Sequence, residues 1–215
     1  MAVMRFALLL PAALAALVLA GCAIEDDGPR RTENRDVAAF TRVDNEGSVD
    51  LRLHVGEPRR VQVRAGEKVI DDVSTEVRDG TLYVTFDHEG WGGNDVVVEA
   101  SVPSLTGAEL TGSGDLEADN IDADAFALSS EGSADILLTG TADRLDVDIE
   151  GSGDADLADL AAREARVSVQ GSGGADVDAA DRLDVVVEGS GDVRYHGDPE
   201  LTQRVDGSGD LSRAS

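Results

Sequence analysis

Apolar and polar residues alternate with a period of two through most of the chain. In the run Leu145 to Glu150, Leu145, Val147 and Ile149 alternate with Asp146, Asp148 and Glu150. The same pattern sets Leu183, Val185 and Val187, Ala165, Val167 and Val169, and Phe126, Leu128 and Ser130 on one face. Such alternation predicts strands with one face buried and one in water. Each run ends at Gly-Ser-Gly-Asp or a near variant, starting at Gly112, Gly132, Gly151, Gly171, Gly189 and Gly207, in steps of 20, 19, 20, 18 and 18 residues. After each corner the alternation resumes. Inward positions there are Leu116, Ile136, Ala155, Ala175, Val193 and Leu211, followed two residues later by Leu138, Leu157, Val177 and Tyr195.

A fixed period near 19 residues marks a stacked architecture, in which one repeat cannot bury its own core. The expected fold is all-β: a parallel β-helix, or solenoid, of about 19-residue rungs with Gly-Ser-Gly-Asp corners. Six rungs at about 4.8 Å each make a rod of roughly 29 Å. A β-sandwich of hairpins also explains the alternation, but not the period.

Residues 37–104 precede the repeat and are also strand-like. Candidate strands are 49–55, 61–63, 82–86 and 96–102, separated by turn signals at Gly56-Glu57-Pro58, Asp79-Gly80 and Gly92-Gly93-Asn94. They are expected to be first, atypical rungs covering the N-terminal edge of the stack. Nothing after Asp210 reads as a cap, so the last rung is expected to expose an edge or to meet a partner chain, as in a homo-oligomer.

The first residues read as an address. Arg5 precedes the apolar stretch 6–20, which is short for a membrane span and ends in Leu19-Ala20-Gly21-Cys22. This resembles a bacterial lipobox, in which a lipid is attached to the Cys. Cys22 is the one cysteine of the chain and sits where a lipobox requires it. The expected organisation is a lipoprotein signal peptide over 1–21, the lipidated Cys22 and a polar tether over 22–36, the N-terminal β region 37–104 and the repeat 105–215. An ordinary secretory signal with an incidental Cys is the alternative. Ala23 leans toward outer-membrane sorting by resemblance to proteobacterial rules. The expected location is the cell envelope, on the outer-membrane, periplasmic or cell-surface side, held to the membrane by lipid on Cys22.

In order, the strand Val37–Val43, the turn Asp79-Gly80-Thr81-Leu82, the segment Val102-Pro103-Ser104-Leu105 and the recurring corners resemble a bacterial family, the auto-transporter adhesin head domain or head GIN domain. The resemblance spans about residues 37–212. It implies a β-helical surface or periplasmic domain, often on lipoproteins, and supplies no catalytic residues.

Charge narrows the chemistry. The chain holds 44 acidic against 18 basic residues, a net charge of −26, which excludes a nucleic-acid binder working through a basic surface. Stacking would set Asp115, Asp135, Asp154, Asp192 and Asp210 in one column, interrupted by Gly174. Glu131, Glu150, Glu188 and Asp206 would form a second, with Thr111 and Gln170. Unit charges about 4.8 Å apart repel by about 0.9 kcal/mol even in water. Such columns splay into solvent, bind cations or shift their pKa values. Calcium is the ion that suits them; a solvated Asp capping its own turn is the plainer reading.

A polysaccharide-active enzyme is a weaker reading, since Arg144, Arg163, Arg166, Arg182 and Arg194 look scattered and aromatics make up 3 % of the chain. His54, His88 and His196 lie on different expected elements, and Trp91 lies in a Gly-rich loop. The expected function is a non-enzymatic, lipid-anchored envelope protein that presents an adhesin-head-like surface to a protein or glycan. A calcium-binding structural module is the alternative.

Overall fold

The alternation is obeyed side chain by side chain in the computed structural model, which describes residues 27–88 and 95–214. The chain is a parallel β-solenoid of about five turns with rungs of about 20 residues. Four long strands carry the regular part: β9 (Leu116–Gly132), β10 (Ile136–Gly151), β11 (Asp154–Gly171) and β12 (Gly174–Gly189). They stack in parallel with like positions in register. The apolar columns are Phe126–Leu145–Ala165–Leu183, Leu128–Val147–Val167–Val185 and Ser130–Ile149–Val169–Val187, all buried. On the wall after the corner, Leu116, Ile136, Ala155, Ala175 and Val193 form a further buried column. The stack closes with β13 (Val193–His196), β14 (Glu200–Gly207) and β15 (Leu211–Arg213).

The corners explain the glycines. At Gly151 φ is +133°, and an added Cβ would lie 2.1 Å from the carbonyl oxygen of Gly132 one rung away. The same close approach recurs from Gly112 to Gly207. No side chain fits between backbones at that distance, so both the conformation and the stacking demand glycine. The rungs are joined there by Ser N–H groups: Ser133 donates to Gly112 O at 2.9 Å, Ser152 to Gly132 O at 2.8 Å and Ser190 to Gly171 O at 2.7 Å.

The N-terminal region is built in a different order from its sequence. Strands β2 (Arg42–Gly47) and β3 (Asp50–Val55) form a rung whose corner, Gly47-Ser48-Val49-Asp50, stacks on the corner at Gly112. The chain then leaves the stack through β4 (Arg60–Gly66), a single 3-10 turn (Ile70–Asp72) and β5 (Val73–Arg78). It returns as β6 (Thr81–Phe86) and β7 (Val97–Val102) on the outer side of β2 and β3, and crosses back past them to β8 (Gly107–Gly112). Strands β4 and β5 run antiparallel to β7 and β6, and Val69, Ile70 and Val73 between them are buried. The core is thus covered at this end.

Residues 30–35, expected within the tether, form β1 (Arg30–Arg35), an antiparallel edge strand on β4. The ten strands from β1 to β15 along one wall give a rod of about 43 Å at about 4.8 Å per step. The signal segment, Cys22 and Trp91 lie outside the described residues. Among the described residues no helix is long and apolar enough to cross a membrane.

Candidate functional site

The corner acids are brought into a column, and the column has a backbone role. Asp115 Oδ1 accepts the N–H of Asp135 at 2.9 Å, and Asp135 Oδ1 lies 3.5 Å from the N–H of Asp154. Asp154 Oδ1 accepts the N–H of Gly174 at 2.8 Å, and Asp192 Oδ1 that of Asp210 at 2.8 Å. Asp115, Asp154 and Asp192 therefore bind the next rung where the chain turns, and Asp135 makes the longest of these contacts. Asp50, absent from the sequence-derived set, heads the column by accepting the N–H of Asp115 at 3.1 Å. Gly174 has no carboxylate to offer the rung that follows it.

The second file, Glu131–Glu150–Gln170–Glu188–Asp206, runs in register along the wall just before the corners. Its carboxylates are exposed, and the Gln170 amide lies 3.4 Å from Glu150 Oε1. Among the described residues no three His, Cys, Asp or Glu side chains come together as a ligand set. The histidines are also kept apart. His54 meets Asp119 at 2.6 Å, His88 meets Asp72 at 2.8 Å and His196 meets Asp176 at 3.0 Å.

Three of the five arginines that look scattered in the sequence, Arg144, Arg166 and Arg182, are brought together, which corrects that reading in part. Stacking turns spacings of 18 to 20 residues into neighbours. Ala125, Arg144, Glu164 and Arg182 fall in one column, and Arg42, Gly107, Ala127, Asp146, Arg166 and Asp184 in the next. These columns border an open groove of about 1030 Å³. Its depth has a simple cause: where neighbouring rungs carry charged side chains, this stretch carries Ala125 and Ala127. Asp122 and Asp124 form one bank. Arg163 and Arg194 lie elsewhere, paired with Asp181 at 3.1 Å and Asp176 at 3.5 Å.

Within the groove the cations are used unequally. Arg182 grips Asp184 through two hydrogen bonds of 3.0 and 3.1 Å. That contact holds the Asp184 carboxyl below the usual carboxylate range. Arg42, Arg144 and Arg166 are exposed, and their side chains make no hydrogen bond and no ion pair within 4 Å among the described residues, although Arg166 lies close enough to Asp184 to help lower its pKa. In a chain with 44 acids against 18 bases, guanidinium groups not engaged in a close ion pair stand out. Each presents planar N–H donors beside a carboxylate acceptor, one rung or two residues away. The wall therefore alternates donor and acceptor in both directions. That suits a ligand rich in hydroxyl groups, which donate and accept at once. Sequence reasoning missed the site because Arg42 and Arg166 are 124 positions apart and meet the same groove only through the stack.

The fold and the corners define a β-solenoid with an open wall groove, and comparison with known proteins assigns its family. Residues 39–199 match the family model "Putative auto-transporter adhesin, head GIN domain". The chain belongs to this family. Among solved structures, a putative adhesin from Bacteroides fragilis is similar at 20 % identity and a TM-score of 0.68, covering 86 % of this chain and 97 % of that one. A putative lipid binding protein from Parabacteroides distasonis is similar at 22 % identity and a TM-score of 0.57, covering 87 % and 98 %. A putative adhesin from Parabacteroides merdae is similar at 17 % identity and a TM-score of 0.54, covering 87 % and 97 %. At these identities the likeness is one of fold. No curated protein matches the sequence.

Proposed function

We propose that the protein is a non-enzymatic, lipid-anchored envelope module that holds a glycan along its wall groove. The observation that carries this reading is the gathering of Arg42, Arg144 and Arg166, not engaged in close ion pairs, over a floor of small residues. The family's adhesin name supports an interaction role. The lipobox ending in Cys22 supports attachment to the membrane at the N-terminal end of the rod, with the tether leading into β1.

The test is binding of the full chain to a panel of neutral and acidic glycans, wild type against Arg42→Gln/Arg144→Gln/Arg166→Gln. Exposed side chains contribute little to stability, so the triple variant keeps its melting temperature. Loss of two or three donor contacts lowers affinity about tenfold or more. Bound glycan is recovered unchanged. Equal binding by the two proteins, or no binding to any glycan, contradicts the groove assignment. Cys22→Ser moves the protein from the membrane to the soluble fraction without altering glycan affinity.

A further inference from the structure

The two ends of the rod are finished differently. The first is covered by β4, β5 and the buried Val69, Ile70 and Val73 between them. At the other, β14 and β15 are paired along one edge only among the described residues. Every residue of β14 is exposed, although the strand inherits core positions. Leu201 lies over Leu183, Gln203 over Val185 and Val205 over Val187. The underlying side chains are at most 1 % exposed, whereas Leu201 and Val205 stand at 36 % and 37 %.

The backbone of β14 has a free edge as well. Ala127 donates its N–H to Thr106 O on the preceding rung at 3.1 Å. The equivalent position in β14, followed through the register, is Thr202. By the alternation of a parallel ladder, the even-numbered residues of β14 turn N–H and C=O toward β12. Leu201, Gln203 and Val205 turn theirs toward the open edge. An edge of this kind is a template for one more strand.

We propose that the added strand is β14 of a second copy, paired antiparallel about a twofold axis at Gln203. The segment is its own complement in that register. Leu201 of one copy lies opposite Val205 of the other, and the two Gln203 amides face each other. On the outer face Thr202 meets Arg204. Arg204, which already pairs with Asp206 in its own strand, reaches diagonally toward Glu200 of the second copy and offsets the approach of Glu200 to Asp206. Stacking head to tail onto the β1 and β5 end would leave an open edge again and grow into a filament. The twofold arrangement closes. The contact does not depend on the groove.

The experiment uses the full chain carrying Cys22→Ser, which removes the one native thiol, with Gln203→Cys or Thr202→Cys added. In an antiparallel hydrogen-bonded pair, Cα atoms directly opposite are about 5.5 Å apart, within the range a disulfide bridges. Diagonal positions are about 7–8 Å apart. Under mild oxidation Gln203→Cys forms a covalent dimer in high yield and no larger species, and Thr202→Cys forms little. Leu201→Lys/Val205→Lys is monomeric by light scattering at concentrations where the wild type is dimeric, with a melting temperature within a few degrees of wild type. Equal crosslinking at the two positions, a monomeric wild type, or a ladder of higher oligomers overturns the proposal.

Discussion

Gly47 and Gly112 occupy the same corner on adjacent rungs, and the structure treats them differently. Both have positive φ, +118° and +130°. A Cβ on Gly112 would lie 2.3 Å from the carbonyl oxygen of Gly47, whereas a Cβ on Gly47 would meet nothing within 4 Å among the described residues. The pairing of β6 on the outer side of β2 ends at Thr85 opposite Glu46, one residue short of Gly47, whereas β8 stays paired with β2 through the corner. The turn alone asks for a glycine conformation; the stack adds a contact that excludes any side chain. The third corner position differs too. In the stack it is Gly114, Gly153, Gly173, Gly191 or Gly209, with Ala at 134, but Val49 stands there in the first rung. Its carbonyl is held by the buried Asn45, whose Nδ2 donates to Val49 O at 2.7 Å. A side chain thus supplies in the irregular region part of what rung-to-rung backbone contact supplies in the regular one.

The sharpest break in this comparison is Gly112→Ala. Conformational strain and backbone collision together cost more than about 4 kcal/mol, seen as a fall of well over 8 °C in melting temperature at roughly 2–4 °C per kcal/mol. Gly47→Ala carries the strain without the collision and costs about 1–3 kcal/mol. Equal losses for the two would show that turn conformation alone sets the glycines. Next comes Asn45→Ala, which strands the Val49 carbonyl and costs about 1–2 kcal/mol by denaturant unfolding.

The smallest effect belongs to Asp44 on the outer face of β2. Partial burial, then the charges of Glu109 and Glu46, raise its carboxyl above the usual range. The folded-state pKa therefore lies above the unfolded one, so ionisation opposes folding. That penalty is absent below the unfolded value, grows as pH rises between the two pKa values and is complete above the folded one. Asp44→Asn raises the melting temperature slightly at neutral pH and leaves it unchanged at strongly acidic pH. A fall at neutral pH would contradict this.

The solenoid was legible because its columns are written in a period of two inside a period near 19. Leu145, Val147 and Ile149 needed only their own alternation to be placed inward. The corner at Gly47 was not legible: its third residue is Val49, and the corner it stacks on lies 65 positions away. The crossing of β6 and β7 to the outer side of β2 and β3 leaves no mark on local pattern either. The site was less legible than the fold. Arg144, Arg166 and Arg182 are separated by ordinary sequence, and their meeting is a product of rung stacking. The corner acids were seen as a column, but their acceptor role depends on the N–H of the following rung, which spacing alone does not reveal.

The most direct test of these inter-rung bonds is thermal unfolding of the full-length protein, as wild type, Asp154→Ala and Asp154→Asn, in chelator and in millimolar calcium. If the corner carboxylate acts as an acceptor for the next rung, the alanine variant loses about 1 kcal/mol. The asparagine variant, which keeps an acceptor oxygen, retains most of the stability, and calcium shifts none of the three. A calcium-specific rise confined to the wild type, with asparagine as damaging as alanine, would contradict the account and make the column a cation site.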